Sequence, residues 1–175
     1  SDVYKRQING VAVSIEGAGS TSITVTQAAD NNYNTASKTI NLSVAKATPT
    51  LSFNNVVKNY GDSSFTLAPQ TQSSSGTLSY TSADNSVVSI SGSTATVNGA
   101  GTSLITVTQS ETTNYTATTS SFTITVNKID PTLSAFGVAT KTFGDPVFEI
   151  TPPTTDVDNS SSFTFTSSNA NIASI

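Results

Sequence analysis

The chain contains no cysteine, no histidine, no methionine and no tryptophan. Without cysteine there is no disulfide and no thiolate metal site, and without histidine there is no imidazole base and no histidine-ligated metal. Charge is scarce as well: charged residues make up 10 % of the sequence and the net charge is -4. A nucleic-acid partner calls for a basic face that neutralises phosphates, and an anionic membrane surface calls for the same. Neither is expected here. No run is apolar enough to span a membrane, so membrane insertion is not expected either. No secretory leader is visible, and the first residues do not read as a true start.

Serine, threonine and asparagine supply most of the polarity in these 175 residues. Threonine is β-branched and suits a pleated, half-exposed strand, while serine and asparagine suit turns. A secreted chain without cysteine must hold together by its core alone, a habit of bacterial surface proteins more than of small animal ectodomains.

The sequence repeats. Residues 8–46 align without a gap with residues 90–128, 82 positions on, as Gly17 to Gly99 shows. Gly17-Ala18-Gly19 returns as Gly99-Ala100-Gly101, Ile23-Thr24-Val25-Thr26-Gln27 as Ile105-Thr106-Val107-Thr108-Gln109, and Asn32-Tyr33 as Asn114-Tyr115. The register continues with Pro49-Thr50-Leu51-Ser52 and Pro131-Thr132-Leu133-Ser134. Lys58-Asn59-Tyr60-Gly61-Asp62 recurs as Lys141-Thr142-Phe143-Gly144-Asp145, and Leu78-Ser79-Tyr80-Thr81-Ser82 as Phe163-Thr164-Phe165-Thr166-Ser167. Three segments follow: residues 1–46 as the C-terminal half of one unit, 47–128 as a complete unit, and 129–175 as the N-terminal half of a third. The chain therefore reads as a fragment of a longer protein. Residues 1–7 fit neither repeat, resemble translated adapter sequence, and are set aside.

Period-two alternation predicts the fold class. Ile105 and Val107 alternate with Thr106 and Thr108; Phe122, Ile124 and Val126 alternate with Thr123 and Thr125; Ile40, Leu42 and Val44 repeat the pattern. Such strands bury one face and wet the other. Ser91-Gly92-Ser93 and Asn98-Gly99-Ala100-Gly101 both read as tight antiparallel connections. About seven strands are expected in the complete unit, enough for two packed sheets, and no segment has a helical period. The expectation is an all-β chain of tandem immunoglobulin-like β-sandwich modules, one complete and two partial.

These residues, in their order and spacing, resemble the bacterial immunoglobulin-like repeats of the MBG type. The likeness is carried by Lys58-Asn59-Tyr60-Gly61-Asp62 with Phe65 and Leu67, Tyr80-Thr81-Ser82-Ala83-Asp84, Val87-Val88-Ser89-Ile90, Gly99-Ala100-Gly101-Thr102 and Asn114-Tyr115. The resemblance covers essentially everything after Gln7. It implies a β-sandwich, an extracellular or bacterial cell-surface location, a spacer or adhesive role, and no catalytic residues.

Candidate sites are few. Gly61-Asp62 and Gly144-Asp145 place a carboxylate in a turn, the latter near Glu149. Calcium needs several converging oxygens, so an aspartate capping backbone N–H groups is the reading preferred. Asp130 lies in a short link between units, but the equivalent link carries Thr48 instead; Asp156 and Asp158 read as a solvated loop. Tyr33, Tyr60, Tyr80 and Tyr115 raise sugar stacking, yet their recurrence as Tyr or Phe favours packing. Serine nucleophiles lack a histidine and a Gly-x-Ser-x-Gly elbow, Lys46, Lys58 and Lys128 sit at turns and links, and no carboxylate pair shares an evident cleft. Sequons such as Asn114-Tyr115-Thr116 and Asn159-Ser160-Ser161 arise by chance in so Asn- and Thr-rich a chain. No catalytic, cofactor or metal residue is therefore assigned. A non-catalytic spacer is expected, with neighbouring modules as partners. The alternatives are an adhesive module binding an extracellular glycan or protein through loops such as residues 70–77, which differ most between units, or an accessory module of a secreted enzyme.

Overall fold

The structure is a computed structural model that describes residues 10–157 and 162–175. Residues 1–7, Asp158 and the Asn159 sequon lie outside the described residues. Among the described residues the chain is all-β, with eleven strands and no helix. It divides into two compact units, one ending at Asn127 and the other beginning at Lys128.

The first unit opens with a hairpin, β1 (Gly19–Gln27) and β2 (Ala36–Val44), in antiparallel register from Gly19↔Val44 to Gln27↔Ala36. Its side chains are mostly exposed, because no other strand borders either edge among the described residues. Short strands follow: β3 (Leu51–Ser52), β4 (Val56–Asn59), β5 (Phe65–Thr66) and β6 (Thr71–Gln72). Then come β7 (Leu78–Ser82), β8 (Val88–Ser91), β9 (Thr94–Val97), β10 (Gly101–Gln109) and β11 (Thr118–Asn127).

One sheet has the order β4-β11-β10-β7, a second β5-β9-β8, and a third β3-β6. The alternation expected from sequence is what builds the core. Ser103, Ile105, Val107 and Gln109 of β10 point inward and are buried, whereas Thr102, Leu104, Thr106 and Thr108 are exposed. Phe122, Ile124 and Val126 of β11 join Leu67, Val87, Val88 and Ala95 in one apolar cluster that links the first two sheets. Two sheets sharing a core in this way are consistent with a β-sandwich.

Three features differ from the sequence reading. The complete repeat carries nine strands, because β3, β5 and β6 are two-residue pieces that exist only through pairing with distant partners. The Ser91-Gly92-Ser93 turn does join an antiparallel pair, but residues 98–100 do not: β9 belongs to one sheet and β10 to the other, so this connection crosses the core. Period-two patterning gives a strand's faces and leaves open which sheet it joins. Finally, Phe163-Thr164-Phe165-Thr166-Ser167 forms no strand. Its equivalent β7 lies along β10, and no equivalent of β10 is present in residues 128–175.

The hairpin is tied to the complete repeat at one end. Ala47 bridges Tyr115 in parallel, with Ala47 N–H donating to Asn114 O at 2.9 Å and Thr116 N–H donating to Ala47 O at 2.9 Å. Ala18 N–H donates to the Asn114 side-chain oxygen at 2.9 Å, and Lys46 pairs with Glu111 at 2.9 Å. The second unit, from Lys128, has a single isolated bridge among its described residues, Leu133↔Thr155.

Candidate functional site

The Gly-Asp turns are built alike in both units. Asp62 Oδ2 accepts the Asn59 N–H at 2.9 Å, and Asp62 N–H donates to Asn59 O at 3.0 Å. Asp145 Oδ2 accepts the Thr142 N–H at 2.9 Å, and Asp145 N–H donates to Thr142 O at 3.0 Å. Gly61 and Gly144 take φ values of 89° and 98°, a left-handed region that a side chain would strain. In each unit the lysine before the turn lies over a phenylalanine ring, Lys58 over Phe65 and Lys141 over Phe148, both 4.8 Å from the centroid. These carboxylates close their own turns. No group of three or more acidic, histidine or cysteine residues is placed to hold a metal ion among the described residues. Glu149 and Asp130 are exposed.

Three other aspartates act on backbone. Asp30 Oδ1 accepts the Asn32 and Tyr33 N–H groups, both at 2.8 Å. Asp84 Oδ1 accepts the Ser86 hydroxyl at 2.6 Å and the Ser86 N–H at 2.9 Å, and the Ser86 hydroxyl is the larger cause of a carboxyl held below its ordinary range. Asp156 Oδ1 accepts the Thr132 N–H at 2.9 Å, which lowers its carboxyl in the same sense. Asp156 thus ties its segment to Thr132, distant in sequence, whereas the sequence suggested only a solvated loop.

The tyrosines separate into two groups. Tyr80 packs edge-on against Phe53, with centroids 6.0 Å apart, and its hydroxyl donates to Leu67 O at 3.4 Å. Burial pushes its phenol above the ordinary value. Tyr115 is half-buried beside the Ala47 bridge. Tyr33 and Tyr60 are exposed, so the packing expected for all four holds for two.

The loop over residues 70–77 is strapped down. Gln70 N–H donates to Ser52 O at 2.8 Å, Ser73 N–H to Thr50 O at 3.1 Å, and Thr77 N–H to the Ser110 hydroxyl at 2.9 Å. Gln109 holds it from below. Its side chain is fully buried, and Nε2 donates to Ser74 O at 2.8 Å and Gly76 O at 3.3 Å, while Oε1 has no partner. Sequence reasoning passed over Gln109. The available signal was its parity with Ile105 and Val107, which places a polar side chain on an inward face, and its recurrence as Gln27.

Beside this loop lies a cleft of about 270 Å³ lined by Phe53, Val56, Phe65, Leu67, Pro69 and Phe122, with Asn54, Thr66 and Gln70 at its polar edge. Phe53 and Phe122 stack within it, 5.0 Å apart and 14° from parallel. No titratable side chain lines the cleft. It offers apolar contact and amide hydrogen bonds. Sequence reading did not find it, because its residues come from three separate stretches, 53–56, 65–70 and Phe122.

Among the described residues no helix is long and apolar enough to cross a membrane. No protein-family model matches the chain, and neither the curated proteins nor the solved structures provide a match.

Proposed function

We propose that this chain is a non-catalytic spacer of tandem immunoglobulin-like β-sandwich modules, related to the MBG-type repeats, in a bacterial cell-surface or secreted protein. The observation that carries the reading is the pairing of an early strand of the complete repeat with its last. The early strand β4 lies parallel to the last strand, β11, from Ile124↔Val56 to Asn127↔Asn59. Tension applied at residues 47 and 127 first meets the Ala47 bridge and the two-residue β3–β6 ladder. It then loads the β4–β11 ladder along the strand axis, where the hydrogen bonds must fail together rather than one at a time. Such a shear geometry supports a link that resists tension. The matched Asp-capped turns of the two units add support, because what recurs is structural.

Pulling the chain from its ends tests this: a cooperative unfolding peak from the complete repeat is expected, and its absence refutes the spacer reading. The aromatic cleft favours a second reading, an adhesive module for an extracellular glycan. A polysaccharide screen with and without calcium discriminates. Saturable binding abolished by Phe53→Ala would establish the adhesive role; no binding in either condition leaves the spacer.

A further inference from the structure

The connection between β9 and β10 carries the Asn98-Gly99 pair, at the point where the chain leaves one sheet of the complete repeat and enters the other. Glycine is required there for space, because a Cβ at residue 99 would sit 2.8 Å from Ser86 O, a backbone atom. That requirement has a chemical consequence. With no side chain on Gly99, its backbone nitrogen is the least hindered neighbour an asparagine can have, and Asn98 carries the amide carbon that such a nitrogen attacks. The equivalent pair in the first repeat is Glu16-Gly17, so the glycine recurs and the asparagine does not.

The folded unit engages both reacting groups. Asn98 Nδ2 donates to Asn85 O at 2.8 Å and to Ser89 Oγ at 2.9 Å. The Gly99 N–H donates to Val87 O at 3.3 Å, and the Asn98 N–H donates to the same oxygen at 2.9 Å. Val87 is buried in the core cluster, so this acceptor does not move away without opening the core. Asn98 itself is exposed. Water therefore reaches the site, and hydrogen bonds rather than burial hold the amide in place.

We propose that Asn98-Gly99 is a deamidation site guarded by the fold, silent while the first unit is closed and reactive once residues 85–89 come away from it. In the reaction the Gly99 nitrogen bonds to Asn98 Cγ, the Cγ–Nδ2 bond breaks, and ammonia leaves with the proton that Gly99 gives up. Water then opens the succinimide at either carbonyl, giving aspartate at position 98 or its β-linked isomer. Both products oppose reclosure. Each carries a carboxylate where the amide stood, and a carboxylate has no donor for Asn85 O. The β-linked product also inserts a methylene into the main chain where two successive N–H groups share Val87 O. The complete repeat thus keeps a covalent record of having been opened. The proposal is independent of the spacer reading.

The test uses the full chain, held in mildly alkaline buffer with and without concentrated guanidinium. Samples are digested with trypsin and mapped by fragmentation mass spectrometry. Cleavage after Lys58 and Lys128 separates Asn98 from Asn9-Gly10, the other asparagine–glycine pair of the sequence. Deamidation at Asn98 should run at least about tenfold slower in the folded chain, in step with the small population that opens. Equal rates in the two conditions would overturn the proposal. Ser89→Ala removes one acceptor of the guarded amide. It should raise the folded-state rate at Asn98 several-fold, leave the rate in guanidinium unchanged, and retain the hydrogen-exchange protection of β10. A folded-state rate that this variant does not move, or moves only in step with lost β10 protection, would overturn the proposal as well. Asn98→Asp, which is one of the two products made directly, should lower the denaturant midpoint of the first unit. A midpoint equal to the parent's would refute the claim that deamidation opposes reclosure.

Discussion

Val25 and Val107 occupy the same position in two repeats, and their environments set opposite expectations. Val107 is wholly buried and Val25 largely exposed. Val107→Ala should therefore cost about 2 kcal/mol in lost burial and cavity formation, while Val25→Ala should stay within about 0.5 kcal/mol. Denaturant unfolding of the two variants checks both values. Gly76 provides a second contrast. A Cβ there would sit 2.0 Å from Ser110 O, a backbone atom that cannot step aside without breaking the strap on residues 70–77. Gly76→Ala should destabilise the first unit by about 2 kcal/mol, read from the same denaturant midpoints.

Acid should also act through single residues. The folded-state carboxyls of Asp84 and Asp156 are held below their ordinary range by hydrogen bonds from Ser86 and Thr132. The unfolded chain binds these protons more readily, so stability rises with pH across the window between the two states' values. The contribution is fully present above about pH 4 and is lost as pH falls through the lowered values. Thermal unfolding followed from pH 6 downward should show Asp84→Asn flattening the acid limb of the first unit. An unchanged limb would mean that the Ser86 cap does not distinguish folded from unfolded chain.

At the scale of strands, sequence and structure agree where alternation is long and diverge where pairing is distant. The buried and exposed faces of β10 and β11 were legible from Ile105, Val107, Phe122, Ile124 and Val126 alone, because period two leaves no other way to bury them. The two-residue strands β3, β5 and β6 were not, since nothing local to them exceeds a turn's propensity and their partners lie up to thirty residues away. The passage from β9 to β10 was misread as a tight turn for a related reason: the glycines mark a bend and do not say which sheet comes next. The cleft and Gln109 were hidden similarly, as products of packing among separated stretches. Hydrogen exchange should grade the strands accordingly. Amides of β10 and β11 should be strongly protected, and those on the outer edges of β1 and β2 should exchange fast in dilute solution. Equal protection in the two hairpins at low concentration would contradict the exposure described here.

For the molecule as a whole, the spacer role proposed above draws on sparse charge, many hydroxyls and short links between repeats. The cleft in the complete repeat offers apolar contact and amide hydrogen bonds, and the acidic side chains engaged by backbone hold turns closed. The parallel β4–β11 ladder is the feature on which the mechanical account depends. Single-molecule stretching of the chain from its two ends measures it directly. The account predicts one sharp rupture that releases the length of residues 47–127, about 28 nm at full extension, and a marked fall in rupture force when Tyr60→Pro removes the N–H that donates to Asn127 O at 2.9 Å. Featureless extension, or a rupture force indifferent to that substitution, would contradict it.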